Sequence, residues 1–164
     1  MLVLKFYLIC MIKYKDSYIV FEEIPNRVSL ALNITNCQNM CVGCHSPELR
    51  LNNGTELTEG EIDKLINENY GIDCVVFMGE GKDKESLLKF ATYIKEKHNI
   101  LVGVYSGRNE VEEEYFNVFD YIKIGEYKKE YGPLNKETTN QRLYRVKGNI
   151  REDITYLFWN KKTV

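Results

Sequence analysis

Three cysteines in the first third of the chain could carry chemistry together. Cys37, Cys41 and Cys44 follow the pattern C-x3-C-x2-C. Thiolates are the usual ligands of iron–sulfur clusters, and a closed cluster or a tetrahedral zinc site takes four protein ligands. Three thiolates on one short loop can instead hold three irons of a 4Fe-4S cluster and leave the fourth iron open to a substrate. The spacing therefore predicts a 4Fe-4S cluster with these cysteines as metal ligands and the open iron as the reactive position.

Two other interpretations of the same residues stay open. With His45, the three thiols could bind a structural zinc, or they could be ordinary half-buried side chains. Zinc modules usually add a second pair of ligands at a distance, and the other candidates, Cys10, Cys74 and His98, each stand alone. His45 also directly follows Cys44, and adjacent residues seldom bind one ion together. These points favour a cluster over zinc.

The whole chain has the size and composition of one globular domain, residues 1–164. It is 44% hydrophobic and 28% charged, and it is long enough to bury a core without disulfides. A net charge of -2 gives no electrostatic reason to expect nucleic acid or an anionic membrane as partner. Met1 to Ile12 is too short to span a bilayer and lacks the basic start of a signal peptide. Because clustered cysteines also fit a reducing compartment, we expect a cytoplasmic protein.

The elements that must position the cysteines alternate between strands and helices. A strand over Val28 to Ile34 leads directly into the cysteines, and a strand over Cys74 to Met78 ends at Gly79 and Glu80. This alternation predicts an α/β fold with right-handed crossovers and a mostly parallel sheet. The length falls short of the roughly 250 residues of a complete eightfold barrel, so we expect a partial barrel, open on one side. Before the cysteines, the sequence predicts a hairpin of strands 2–14 and 18–22 with its turn at 15–17. After them it predicts one helix that starts at Thr58, two more helices at 84–98 and 110–119, and strands at 100–105 and 121–125.

The chain resembles the radical S-adenosylmethionine (SAM) proteins, whose cluster motif is C-x3-C-x2-C. Within that superfamily it is most similar to the activating protein of the anaerobic (class III) ribonucleotide reductase. The resemblance covers nearly the whole chain and implies a partial, mostly parallel (β/α) barrel of the radical SAM type. The segments that carry it are residues 28–34, the cluster loop 36–48, residues 77–80 and 120–125, and the C-terminal segment 132–146.

The resemblance also implies the reaction. SAM would bind the open iron, and one electron from the reduced 4Fe-4S cluster would cleave SAM to methionine and a 5′-deoxyadenosyl radical. That radical would take a hydrogen from a glycine of anaerobic ribonucleotide reductase and leave a glycyl radical there. A flavodoxin or ferredoxin-type protein would donate the electron. The alternatives are another small radical SAM enzyme, activating a different glycyl-radical enzyme or making a deazaguanine, and, in another class, a zinc-binding interaction module.

On the same resemblance, Gly79 and Glu80 match part of a glycine-glycine-glutamate strand end that holds the amino group of SAM. Met78 stands where the first glycine is usual, and Gly81 where a proline often follows. Glu80 could alternatively be a solvated loop acid, although a charged residue directly after a buried strand more often faces a site.

Gly43, Cys44 and His45 are assigned by the resemblance to a cradle for SAM, and His45 could equally be an ordinary exposed loop histidine. Ser106 follows a predicted strand, where its hydroxyl could contact the ribose or carboxylate of SAM or cap the next segment. Lys123 could reach an anionic group or be the polar residue of an alternating strand.

Four further residues have predicted roles. Arg142 and Arg145, in the C-terminal segment, could bind the reductase or organise the SAM pocket. Cys10 and Cys74 are expected to be small buried residues of strands, and His98 to be a favourable charge at a helix C-terminus.

Overall fold

The computed structural model describes residues 12–159, and the strands of this part of the chain form one eight-stranded sheet that does not close. Its order across the sheet is β3-β1-β2-β4-β5-β6-β7-β8. The α-helices are α1 (Glu59–Glu68), α2 (Lys84–His98) and α3 (Glu113–Val118), and short 3-10 helices span Pro47–Arg50 and Thr155–Phe158. The strands are β1 (Lys13–Val20), β2 (Ser29–Ile34), β3 (Thr55–Glu56), β4 (Cys74–Met78), β5 (Leu101–Tyr105), β6 (Tyr121–Ile124), β7 (Arg142–Lys147) and β8 (Ile150–Asp153).

Four parallel strands, β2, β4, β5 and β6, lie side by side in chain order at the centre of the sheet. One α-helix lies in the connection from each of these strands to the next. Since right-handed crossovers that all step in one direction place their helices on one side, α1, α2 and α3 share one face, the helical face. The opposite face, the rear face, carries Ala31, Val76 and Tyr121 and is covered by Ile24, Ile154 and Phe158. The helices contribute Ile62, Leu65, Leu87, Phe90, Ala91, Ile94 and Tyr115 to the core of the helical face.

The outer strands are antiparallel. β1 pairs with β2 and β3, and β7 pairs with β6 and β8, so three of the seven strand pairings are parallel. The α/β class and the open sheet are confirmed, whereas the expectation of a mostly parallel sheet is wrong for the sheet as a whole. The physical reason is that residues 125–141 contain no crossing helix, so the chain re-enters the sheet from the edge at which β6 ended.

The predicted hairpin turn at 15–17 is also wrong. These residues lie inside β1, whose register with β2 shifts between Tyr14 and Ser17. A polar residue of this segment bonds across the strand pair: the side chain of Asn33 on β2 donates to Oδ1 of Asp16 on β1 at 2.6 Å. A bulge therefore absorbs the turn-like residues. Residues 2–11 of the predicted first strand, with Cys10, lie outside the described residues.

The starts of α1 and α2 follow the predicted signals, whereas α3 begins at Glu113 rather than at the predicted residue 110. Thr58 caps α1 by accepting a hydrogen bond from the backbone of Glu61 at 3.1 Å, and α2 has the predicted bounds. His98 ends α2, and its Nε2 lies 2.7 Å from Oδ1 of Asp63 on α1, so it also joins two helices. Between residues 12 and 159, the structure holds no helix with the length and apolar character needed to cross a bilayer.

Replacing Phe77 by alanine is expected to destabilise the fold strongly. Phe77 is fully buried on the helical face and packs edge-on against Phe119, with ring centroids 6.2 Å apart. The cavity should lower the free energy of unfolding by about 3–5 kcal/mol, measured by urea denaturation. Tyr70, fully exposed, is the control, and Tyr70→Ala should stay within about 0.5 kcal/mol of wild type. Similar losses in both variants would contradict this packing.

Candidate functional site

The carboxyl ends of the parallel strands bring the predicted site residues to one edge of the sheet. The cysteines follow β2, Gly79 and Glu80 follow β4, and Ser106 follows β5. Gly81 has a φ of 64°, and a Cβ there would lie 3.1 Å from Cγ2 of Ile34 at the end of β2. Glycine therefore lets the loop after β4 approach the start of the cysteine segment. The prediction that the cysteines lie just past a strand end is confirmed.

The cysteine loop, residues 36–48, is tied together at its two ends by the backbone. The amide of Asn36 donates to the carbonyl of Leu51 at 3.0 Å, and the amide of Cys37 to that of Leu49, also at 3.0 Å. Thr35, just before the loop, is buried and donates its hydroxyl to the carbonyl of Asn53 at 2.7 Å. The loop therefore starts and ends at neighbouring points beside β2.

Within the loop, the three thiols are half-buried and none forms a disulfide. Arg50 donates to the carbonyl of Cys41 at 2.9 Å, and a Cβ at Gly107 would lie 3.3 Å from Sγ of Cys41. Burial, followed by the charges of Glu126 and the neighbouring thiols, raises the pKa of Cys41. A cation would offset these effects, because it favours the thiolate.

These thiols are of the ligand type that an iron–sulfur cluster takes. Within residues 12–159, no group of three or more His, Cys, Asp or Glu side chains is arranged to hold one metal ion. In a 4Fe-4S cluster, however, each thiolate binds a different iron, so the sulfur atoms need not converge on one point. Three thiols without disulfides on one anchored loop, with Cys41 beside Gly107, are a suitable donor set.

Glu80 is held by three side chains, which we call the Glu80 clamp: Ser106, Arg108 and Tyr115. Ser106 donates to Oε2 at 2.6 Å, and Tyr115 donates to Oε1 at 2.6 Å. Arg108 donates through Nη2 to Oε1 at 2.7 Å and through Nε to Oε2 at 3.2 Å. The side chain of Glu80 is 12% exposed, so the interpretation as a solvated loop acid is wrong. Its carboxylate is oriented at the strand edge.

Ser106 combines the local role predicted for it with a second one. Its hydroxyl accepts from the amide of Arg108 at 3.0 Å, as a turn serine does, while donating to Glu80. The residue is 1% exposed. The structure thus places this hydroxyl against Glu80, and its contact with SAM stays a prediction.

A cleft of about 200 Å³ lies between the cysteine loop and the Glu80 clamp. The clamp residues Arg108 and Tyr115 were missed at the sequence level. Arg108 directly follows Ser106 and Gly107 at a strand end, which could have been a signal, whereas Tyr115 gave none because it occupies an ordinary core position of α3. The residues that line the cleft are Cys37, Gln38, Asn39, Glu80, Gly81, Lys82, Lys84, Arg108, Glu112 and Tyr115.

Tyr127 joins the cysteine loop to the segment after β6. Its ring lies 4.6 Å from that of His45, centroid to centroid, and a Cβ at Gly43 would approach the same ring at 3.8 Å. Gly43 has a φ of 77°, which disfavours other residues there. Gly43 and His45 therefore lie against Tyr127 on one side, and the contact of Gly43, Cys44 and His45 with SAM stays a prediction.

Lys123 lies inside the protein on the rear face. It is 8% exposed, and its ammonium donates to the carbonyl of Gly125 at 2.7 Å and lies 5.7 Å from the ring centroid of Tyr105. Burial lowers the pKa of Lys123 to about 8, and the charge of Cys41 acts in the opposite direction. The interpretation as an ordinary polar strand residue is therefore wrong.

The two arginines of the C-terminal segment occupy different ends of β7. Arg142 pairs in register with Ile124 near the site edge and donates to the carbonyl of Thr139 at 2.9 Å. Arg145 pairs in register with Tyr121, at the other end of β6, and forms an ion pair with a glutamate of β8. The structure therefore brings only Arg142 toward the site edge, and binding of the reductase by either arginine stays a prediction.

Comparisons of the chain with protein-family models, with curated proteins and with solved structures found no match. What the site can do must follow from its own residues: unpaired thiols, an oriented carboxylate and a buried ammonium at one edge of the sheet.

Alkylation should distinguish the accessible cysteines of the loop from the buried cysteine of the core. We expect iodoacetamide to label Cys37, Cys41 and Cys44 in the native, metal-free protein, with Cys41 slowest because its pKa is raised. Cys74 is fully buried as predicted, and burial raises its pKa to about 12, so it should react only after unfolding. Mass spectrometry of peptides measures each site. Labelling of Cys74 at the rate of the loop cysteines would contradict its position.

Lys123→Met should stabilise the metal-free protein at pH 7 and do so less at pH 10. The folded pKa of about 8 lies below the unfolded value of about 10.4, so the unfolded chain binds more protons between them. Wild-type stability should therefore rise with pH across that window, while the variant gains about 3 kcal/mol at pH 7.

Urea denaturation at both pH values measures this difference. Lys129→Met, at an exposed position, is the matched control and should show no pH-dependent gain. An equal gain for Lys123→Met at pH 7 and pH 10 would show that its ammonium is not buried as described.

Proposed function

We propose that this protein is a radical SAM activating enzyme that installs a glycyl radical on an anaerobic ribonucleotide reductase. The observation that carries the proposal is the meeting of a three-thiol loop and an oriented carboxylate, Glu80, at the carboxyl edge of four parallel strands. Helices on one face of these strands, with an open sheet, support a partial barrel of the radical SAM type. The antiparallel outer strands would then form its margins.

In this proposal, Cys37, Cys41 and Cys44 hold a 4Fe-4S cluster. When bound, the cluster and SAM supply a one-electron cleavage that gives methionine and a 5′-deoxyadenosyl radical. The carboxylate of Glu80 and the backbone of Gly79 accept hydrogen bonds from the amino group of SAM. Further parts of SAM lie against Gly43, Cys44, His45 and Ser106, as the resemblance implies.

The Glu80 clamp orients the carboxylate before the ligand arrives. Burial, followed by the hydrogen bond to Glu80, raises the pKa of Tyr115 well above its usual value. Tyr115 therefore stays protonated and remains a donor at neutral pH. A preoriented carboxylate accepts hydrogen bonds from an amino group without the cost of ordering a free side chain.

The surface of the cysteine loop favours a protein substrate over a small molecule. Met40 and Val42, within the loop, are 74% and 91% exposed, and Leu51 beside it is 58% exposed. Apolar side chains grouped at a reactive site are typical of protein interaction surfaces. We therefore place the reductase against this loop, with a flavodoxin or ferredoxin-type donor in a reducing cytoplasm.

SAM cleavage is the first test. After anaerobic reconstitution with iron and sulfide, dithionite and SAM should yield methionine and 5′-deoxyadenosine with wild type and with Cys74→Ala, the matched cysteine control. Cys41→Ala should yield neither, since one cluster ligand is lost. Chromatography of the products measures the result.

Two outcomes would overturn the proposal at different levels. One zinc per chain with no SAM cleavage would indicate a zinc-binding interaction module. Cleavage without a glycyl radical signal on the reductase, measured by electron paramagnetic resonance, would indicate another radical SAM enzyme.

A further inference from the structure

Two cations approach Cys41 from different elements. Arg50, which follows the cysteine loop, donates through Nη2 to the carbonyl of Cys41 at 2.9 Å. The ammonium of Lys123 on β6 lies 3.5 Å from the carbonyl oxygen of Ser106. The next residue is Gly107, at which a Cβ would lie 3.3 Å from Sγ of Cys41. A guanidinium on the loop side and an ammonium on the sheet side therefore flank the central cysteine of the motif.

Neither cation is paired with an acid. Between residues 12 and 159, no carboxylate forms an ion pair with Arg50 or Lys123. In the same part of the chain, Nε of Arg50 is buried and has no hydrogen-bond partner. Lys123 is 8% exposed and hydrogen-bonded to carbonyl oxygens. Buried positive charge without an acid is unfavourable, so these two residues favour an anion at Cys41.

We propose that Arg50 and Lys123 are positioning cations of the cluster: they offset negative charge on its Cys41 side and raise its reduction potential. This inference rests on the proposed function and adds to it two residues that control how easily the donor protein can reduce the cluster. Three thiolates make the site anionic, and the one electron that passes from the donor to the cluster adds another negative charge. A nearby cation stabilises the reduced form more than the oxidised form, so it raises the potential.

Glu126 acts on the same thiol with the opposite sign. Its negative charge contributes to the raised pKa of Cys41. The carboxylate lies 3.8 Å from the ammonium of Lys128, and both side chains are about a third exposed, so this pair screens Glu126 only weakly. Removal of Glu126 should therefore change the potential in the direction opposite to removal of Arg50 or Lys123.

The test is the midpoint potential of the reconstituted protein at pH 7 without SAM, measured by a reductive titration followed by electron paramagnetic resonance. Lys123→Met should make reduction about tenfold less favourable, which lowers the midpoint potential by about 59 mV for one electron. Arg50→Gln should lower it in the same direction, while Arg50→Lys keeps the charge and should lower it less. The double variant Arg50→Gln with Lys123→Met should shift by about the sum of the two.

Three controls separate the effect of charge from a change of structure. Lys147→Met removes the same charge at an exposed position at the other end of β7 and should leave the potential unchanged. Glu126→Gln should raise the potential. Iron and sulfide content, with the spectrum of the reduced cluster, should match wild type in every variant, because a distorted loop would lose iron or alter the spectrum.

Each outcome supports or overturns the inference. Unchanged potentials in Lys123→Met and Arg50→Gln, with full cluster content, would overturn it. Loss of iron in either variant would show that the residue maintains the loop rather than the charge of the cluster. If Lys123→Met keeps the wild-type potential but weakens SAM binding, its ammonium contacts SAM and the inference is wrong.

The same measurements distinguish the inference from the proposed function. Wild type that takes up zinc and no cluster would overturn both. Wild type that holds a cluster and shows the expected shifts, but does not cleave SAM, would overturn the proposed function and support the inference.

Discussion

Parallel strands cannot be joined by tight turns, so each of the four central strands must be followed by a connection that crosses the sheet. Here every crossing steps in the same direction, which places α1, α2 and α3 on one face and the strand ends at one edge. Cys37, Glu80 and Ser106 are therefore neighbours although they are far apart in the chain. The rear face is covered by a loop around Ile24 and a short 3-10 helix that ends at Phe158. Small residues of the sheet, such as Gly103, allow the close approach of Ile24.

Charge is handled in two ways at this edge. Glu80 is nearly buried but fully hydrogen-bonded, and Arg108 connects it to a second carboxylate on the surface. Lys123, in contrast, is bonded to carbonyl oxygens within the described part of the chain, and burial lowers its pKa to about 8. A buried ammonium held in this way lowers stability at neutral pH. A loss of stability from a buried charge is common at functional sites, which need charged groups, and rare in apolar cores.

Local patterns predicted the central strands and α2 well, because continuous apolar runs and amphipathic periods are set by burial on one or two faces. The outer strands were harder to predict from the sequence. The turn-like residues of β1 form a bulge, and the direction of β7 depends on how residues 125–141 fold, which periodicity does not record. Lys123 suggested an exposed position, yet both faces of its strand are covered. The partnership of Glu80 with Arg108 and Tyr115 joins separate elements and has no local signature.

Main-chain hydrogen bonds close the cysteine loop, so its attachment to the sheet does not depend on which side chains the loop carries. Closing a loop costs conformational entropy, and here main-chain groups of Asn36 and Cys37 meet that cost by pairing with Leu51 and Leu49. Main-chain bonds do not depend on side-chain identity. Exposed positions such as Val42 can therefore diversify during evolution without moving the points at which the loop joins the sheet. The same scaffold could acquire new partners by drift at the loop surface, while its thiols keep their place.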